Sequence, residues 1–394
     1  MMLGYLLARA GVRVTVLEKH ADFLRDFRGD TIHPSTLRIM ERLGLLDGLL
    51  AIPHQEVRTI DAQWEDRDLP IGDFSGVPTT TKFIALMPQW DFLDYLAKSG
   101  RAYPNFDLRM RHEAVDLVRG RDGASDAHVT GVKVRGPDGE YEIAARLVVA
   151  CDGRHSRMRA ASRLEVENLG APMDVVWFKF PYDDSDGRPP LGRFTRGAIF
   201  VMIPRGEHWQ CGYVIPKGML ESLKTGGFDA FRRAIASAMS PKLRNVDARL
   251  QTLRDWSDVS LLSVTVDRLR QWSLDGFLCI GDAAHAMSPV GGIGINLAIQ
   301  DAVATSNLLR RILLTRRPTP AELRRVQDRR LFPTRVTQAG QVLVQERVVS
   351  LALKATDAFE PPLAMRVISR FRFLRQLVAR VLGMGVRPEV PDPD

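Results

Sequence analysis

The stretch Phe277 to Asp301, FLCIGDAAHAMSPVGGIGINLAIQD, constrains this chain more than any other. It opens as a short apolar strand, Phe277 to Ile280, turns through Gly281-Asp282, and crosses a small-residue loop to Pro289. It then passes Gly291, Gly292 and Gly294 into a helix. A strand, a glycine-rich loop and a helix in that order bring backbone N–H groups close to an anionic or electron-rich ligand. Glycine is required wherever a Cβ would block the approach or forbid the backbone angles. Asp282 falls at the carboxyl end of the strand, where open α/β sheets bind ligands. Read alone, the glycines fit a tight strand–helix turn with a capping Asp equally well.

The N-terminus reads as the second half of a dinucleotide-binding unit. Met1 to Gly11 has a helical pattern ending at a glycine cap, and Val12 to Leu17 alternates like a strand. Glu18 follows at the strand end, where ribose contact is favoured over a solvated acid. The acid of such a unit lies about 20 residues beyond its G-x-G-x-x-G turn. That spacing puts the turn ahead of Met1, so the expectation is a start set at an internal methionine or a truncated chain that holds its cofactor poorly. An unrelated amphipathic helix is the alternative.

Two further segments repeat the pattern. Arg146 to Cys151 is an apolar strand, followed by Asp152-Gly-Arg-His-Ser-Arg-Met-Arg159. Asp152 should fix that turn by accepting backbone N–H bonds, with Arg159 orienting a phosphate or the Asp. Phe27-Arg-Gly-Asp-Thr-Ile-His-Pro-Ser-Thr36 leads into a helix over 37–46, and Arg28 has the rigid fork that pairs with phosphate oxygens. His33 is read as a polar loop residue without catalytic duty. Gln89 stands where a loop enters a helix, able either to reach a ligand or to cap the helix.

GDAAH, then Pro289, then GGIGIN with Asp301 downstream, together with the DG at 152 and the RGD after Glu18, resembles the para-hydroxybenzoate hydroxylase-like flavoprotein monooxygenases. The resemblance spans nearly the whole chain. It implies an α/β fold: a Rossmann-like FAD-binding domain of the glutathione-reductase type, N-terminally truncated, with an inserted, mainly antiparallel β substrate domain and C-terminal helices. The expected boundaries are 1–56, 84–171 and 267–316 for the FAD domain, 57–83 and 172–266 for the substrate domain, and 317–394 for the helical region. The cofactor-binding residues it implies are Glu18, Arg28, Gln89, Asp152, Gly281, Asp282, Pro289, Gly292, Gly294, Ile295 and Asn296. Within that set Asp282 holds the ribityl or ribose part of FAD, and the 289–296 loop lies against the isoalloxazine. The helix N-terminus favours negative charge on reduced flavin. Ile293 departs from the family, which often has Gln there.

The implied reaction is monooxygenation of an aromatic or polycyclic small molecule, with FAD reduced by NADH or NADPH and a flavin C4a-hydroperoxide delivering one oxygen atom. No catalytic side chain and no metal is assigned, because the cofactor carries the chemistry. Two rivals stand beside it. One is a reductase or halogenase on the same scaffold, although Trp209-Gln-Cys-Gly-Tyr-Val-Ile-Pro216 does not match a halogenase W-x-W-x-I-P string. The other is a flavin-free binding fragment.

Composition narrows the partners. A net charge of +8 over 394 residues, with the basic residues scattered except near the C-terminus, gives no nucleic-acid groove. No apolar run reaches the length of a membrane span. Three cysteines without C-x-x-C spacing argue for the cytoplasm and no structural zinc; Cys151 and Cys279 read as buried small hydrophobes. The substrate domain offers Trp177, Phe178, Phe194, Phe200, Met202, Trp209 and Tyr213 as candidate lining, at most half of them facing the ligand because neighbours alternate between sheet faces. Arg366 to Leu382 reads as one basic amphipathic helix with its Leu/Val side packed on the core, a membrane surface being the lesser alternative.

Overall fold

The computed structural model describes residues 1–24, 31–120, 128–186, 192–205, 207–357 and 359–393. Its nucleotide-binding half rests on two small parallel pairings. Val14–Glu18 lies parallel to Phe106–Met110, with Val14 opposite Phe106 and Glu18 opposite Met110. Val148–Ala150 lies parallel to Phe277–Cys279, which also pairs antiparallel with Ser273–Leu274. Among the described residues no ladder joins these two sheets. The Met2–Arg9 helix packs on the Gly294–Thr315 helix and on Gln89–Gly100. Its close fit depends on Gly4, where a Cβ would stand 2.6 Å from Val16.

Strand ends follow local chemistry. Leu108–Val118 reads as one strand by sequence but is two, because Arg111 turns into the left-handed region at φ 59°. Phe106–Met110 therefore joins the parallel pair, while Glu113–Arg119 enters a three-stranded antiparallel meander with Val129–Gly136 and Gly139–Ala144.

The second layer is a seven-stranded sheet drawn from distant parts of the chain. Its order is Val259–Leu262, Met173–Pro181, His208–Pro216, Ala198–Pro204, Gly192–Thr195, Thr59–Trp64 and Arg67–Asp73. Only the Gly192–Thr195 and Thr59–Trp64 pairing is parallel. Alternation sorts its side chains. Val176, Phe178, Phe180, Phe200, Cys211 and Tyr213 pack against the Phe228–Ala238 helix through Phe231 and Ile235. Val175, Trp177, Phe194, Ile199 and Val214 face the other way, toward Val290 and Val349.

The C-terminal region is helical, and it departs from its sequence reading at Phe371. Pro320–Val344, capped by a Thr319–Glu322 capping box, gives way to a π-helical turn at Gln345–Val349 before Ser350–Lys354. The single helix read over 366–382 is two, Leu363–Arg370 and Arg372–Met384, parted at Phe371, whose φ −114° and ψ 120° are extended. Ala379 and Met384 pack on Phe74, Val77 and Leu86, but Phe373, Leu377 and Val381 face outward.

Phe178 is fully buried, edge-on to Phe231 at a centroid separation of 6.4 Å. Phe178→Ala should lower unfolding free energy by about 3–5 kcal/mol, read by urea denaturation. A loss below about 1 kcal/mol would mean that the cluster repacks without it.

Candidate active site

The Gly281–Asn296 loop is built by bonds from four surrounding elements. Gly281 adopts φ 58°, and a Cβ there would meet Ala298 at 2.9 Å. Its N–H donates to Asp301 Oδ2 at 3.0 Å. Asp301 lies in the following helix, is fully buried, and takes His285 Nε2 at 2.6 Å and Arg330 Nε at 2.8 Å on its two oxygens. Burial alone raises a carboxyl, but His285 and Arg330 outweigh it and hold Asp301 below its ordinary value. Arg330 also faces Glu389 at 3.6 Å, and Arg329 grips Glu389 through both oxygens at 2.8 and 2.6 Å.

A row of buried glutamines supports the irregular part of the loop. Gln338 Nε2 donates to the Asp267 carbonyl at 2.8 Å and the Ala286 carbonyl at 3.2 Å. Gln341 accepts from Ser288 N–H at 3.2 Å and donates to the Ser288 and Val290 carbonyls, both at 2.9 Å. Gln345 reaches Ser288 Oγ at 2.6 Å. These side chains supply the backbone partners that a helix or sheet would have supplied. Their sequence signal was polar residues at 338, 341 and 345, spaced to share one helix face.

Asn296 binds the loop to the Thr31–Ile32 strand and the start of the Pro34–Arg42 helix. Its Oδ1 accepts from His33 N–H at 2.9 Å and Thr36 Oγ1 at 2.8 Å. Its Nδ2 donates to the Thr31 and Gly292 carbonyls at 3.0 and 3.2 Å. Its side chain is therefore spent on the protein, leaving its backbone N–H at the first turn of the Gly294–Thr315 helix. Thr31 Oγ1 returns a bond to the Gly292 carbonyl at 2.9 Å. Gly292 has φ 62°, and a Cβ there would meet Thr31 Oγ1 at 2.4 Å.

The helix N-terminus fits an electron-rich ligand. Ile293 provides no side-chain cap, and no acid sits in the first turn. A Cβ on Gly294 would be no closer than 3.7 Å to Met287 and 3.8 Å to Asp282 Oδ1, so bare backbone and the Asp282 carboxylate line one space. Ile295 is half-buried, and Pro289 starts the short turn ahead of it. Arg154 approaches Asp282 at 3.7 Å and links the DG turn to the GD turn; the sequence reading passed over it.

In the DG turn Asp152 accepts from Ser156 Oγ and from Met158 N–H at 3.2 Å, while Ser156 caps Arg157–Ser162. Arg159 does not contact Asp152; it donates to Asp267 at 3.0 Å and to the Arg154 carbonyl at 2.7 Å. Glu18 ends its strand, accepts from His20 N–H at 2.9 Å, and faces the Met1 ammonium, which also lies beside Cys151. Burial lowers that ammonium, with Cys151 and Glu18 opposing. Cys279 is buried as read, and Cys211 is buried too, but Cys151, one residue past the Val148–Ala150 strand, is solvent-exposed rather than buried. Its recessed surroundings still push the thiol up to about 11. Gln89 opens the Gln89–Gly100 helix without capping it. Arg28 lies outside the described residues. No three-residue cluster suited to a metal occurs among the described residues.

Of the seven aromatic and apolar lining candidates, only Trp177 and Phe194 share the sheet face with Val290; the other five pack behind it. The site is thus a glycine-rich loop and helix N-terminus below an apolar sheet face. The chain belongs to the FAD-binding-domain family, whose model matches residues 1–339. It is 29% identical over 382 residues to the 6-methylpretetramide 4-monooxygenase of Streptomyces rimosus, covering 96% of this chain and 88% of that one. Among solved structures, the p-nitrophenol 4-monooxygenase of Pseudomonas putida superposes with TM-score 0.74 at 18% identity, over 96% of this chain and 92% of that one. The anhydrotetracycline hydroxylase of Streptomyces rimosus does so with TM-score 0.72 at 21% identity, over 98% and 74%. All three are named as monooxygenases or hydroxylases, and FAD is the cofactor of the family to which this chain belongs.

Two outcomes follow from this geometry. Gln341→Leu strips three bonds from the loop and leaves buried polar groups unpaired, at about 1–3 kcal/mol each. FAD titration by fluorescence quenching should show weaker binding than the parent; unchanged affinity would detach the glutamine row from the cofactor. The second concerns His33, which is fully buried, with Nδ1 2.9 Å from the Leu382 carbonyl. Burial lowers it to about 4, partly offset by that carbonyl. The unfolded chain takes up this proton below the usual 6.5 and the folded one only near 4, so stability is complete above pH 6.5 and falls between the two. The loss is roughly 3 kcal/mol, and His33→Gln should flatten that part of the stability–pH curve.

Proposed function

We propose that this chain is an FAD-dependent monooxygenase that hydroxylates a fused-ring aromatic substrate at the expense of NAD(P)H and O2. The observation that carries the reading is the pairing of the uncapped Gly294–Thr315 N-terminus and Asp282 with the apolar face of Trp177, Phe194, Val175 and Val214. The relative aligned over nearly the whole chain is named for monooxygenation of 6-methylpretetramide. When bound, FAD accepts a hydride from NAD(P)H and activates O2, so that one oxygen atom enters the substrate and the other leaves as water.

This chain's residues bind, orient and exclude water. Asp282 receives ribityl hydroxyls, and the backbone N–H groups of Gly294, Ile295 and Asn296 stabilise negative charge on the pyrimidine edge of the ring. Glu18 takes the ribose. Arg28 and Asp152 serve the pyrophosphate end, Arg28 directly and Asp152 through its turn, and Gln89 reaches the ribityl chain. Gly281, Pro289 and Gly292 shape the loop so that the ring can lie against it. Trp177 and Phe194 shield the reacting face from water. Three cysteines, none in a disulfide, support placing the enzyme in the reducing cytoplasm.

Reconstitution with FAD tests this. With FAD in excess the chain should perturb the flavin spectrum, and Asp282→Ala should weaken that binding by at least about tenfold, one hydrogen-bonded charge being worth roughly 1.5–3 kcal/mol. With a polycyclic phenol present, NAD(P)H oxidation should consume O2 and put labelled oxygen from 18O2 into the product. NAD(P)H oxidation that needs no O2 would sink the monooxygenase reading in favour of a reductase.

A further inference from the structure

We propose that the Leu363–Arg370 and Arg372–Met384 helices seat this protein in the plane of an anionic phospholipid surface. The inner side of the second helix is already used: Ala379 and Met384 pack on Phe74 and Val77, and a Cβ on Gly383 would meet Phe74 and Pro34 at 3.1 Å. The outer side is apolar and bare. Phe373, Leu377 and Val381 recur every four residues, 65%, 54% and 56% exposed. In the first helix Leu363 and Val367 repeat the spacing, Leu363 at 73%, and Phe371 bridges the two at 49%. Six exposed large apolar side chains on two consecutive helices exceed ordinary surface scatter.

Charge selects the occupant. Residues 363–384 carry five arginines and no acid. Arg372 is paired with Asp73 at 3.1 Å, and Arg375 donates to the Ser369 carbonyl at 2.5 Å. Arg366, Arg370 and Arg380 are exposed, and their guanidinium groups make no ion pair or hydrogen bond among the described residues. Nearby acids are already neutralised, Asp68 by Lys242 at 2.6 Å and Glu360 by Arg67 at 2.7 Å. A second copy across a twofold axis would set this basic face against itself, whereas an anionic headgroup layer complements it and the interleaved Phe, Leu and Val enter the acyl boundary. No helix among the described residues is long and apolar enough to cross a membrane, so contact is in-plane. The same helix reaches the flavin loop at its far end, where a Cβ on Gly291 would meet Leu382 at 2.8 Å. A seated helix therefore holds the site next to the lipid surface.

Co-sedimentation of the full chain with vesicles tests this. Binding to phosphatidylglycerol vesicles should exceed binding to phosphatidylcholine and weaken as salt rises. The triple variant Arg366→Gln, Arg370→Gln, Arg380→Gln should lose about fivefold in partition for each arginine. Phe373→Glu with Leu377→Glu should abolish binding to both lipids, with the far-UV circular dichroism unchanged as the folding control. The proposal is overturned by absence of binding to phosphatidylglycerol, or by variants that bind like the parent. It is equally overturned by a dimer in sedimentation equilibrium that the Phe373→Glu, Leu377→Glu variant disperses while the parent ignores lipid, which would assign the face to a second copy.

Discussion

The buried Asp301 carboxylate is the interaction on which the site depends. One oxygen takes the Gly281 N–H and His285, and the other takes Arg330. Arg330 in turn meets Glu389, which Arg329 clamps. A single charge thereby ties the turn ahead of Asp282 to the Gly294–Thr315 helix, the Pro320–Val344 helix and the C-terminal segment. Such a network adds little net stability over apolar packing, yet losing one partner strands a buried charge at about 3–5 kcal/mol. Its contribution is geometric: it fixes a turn whose left-handed glycine has no side chain of its own to hold it.

The loop needs this external support because its backbone is irregular and buried. Glutamine amides from the neighbouring helix satisfy residues 286–290, and Asn296 satisfies Thr31 and Gly292. The supporting polar groups are thereby paired, and Asp282, with Arg154 at 3.7 Å, faces the same space as the helix N-terminus. Above them the seven-stranded sheet divides its aromatics between a buried rear cluster and an apolar face that carries Trp177 and Phe194.

The C-terminal helices join the same arrangement. Leu382 gives its carbonyl to His33 and places its side chain at Gly291. The outer stripe of Phe373, Leu377 and Val381 is thus on the helix that also touches the glycine-rich loop.

Much of this was legible in the chain. GDAAH, Pro289 and GGIGIN announce a strand, a glycine loop and a helix because each glycine answers a local constraint, a positive φ or a close approach. The DG turn is local in the same way. Tertiary structure alone decided the rest. It put Phe178, Phe200, Met202, Trp209 and Tyr213 behind the sheet, parted the 108–118 strand at Arg111, set Arg154 beside Asp282, and turned Phe373, Leu377 and Val381 to solvent. Sequence carries backbone constraints and periodicity, which act over a few residues. Which face of a sheet or helix is covered depends on what arrives from a hundred residues away, and periodicity holds no record of that.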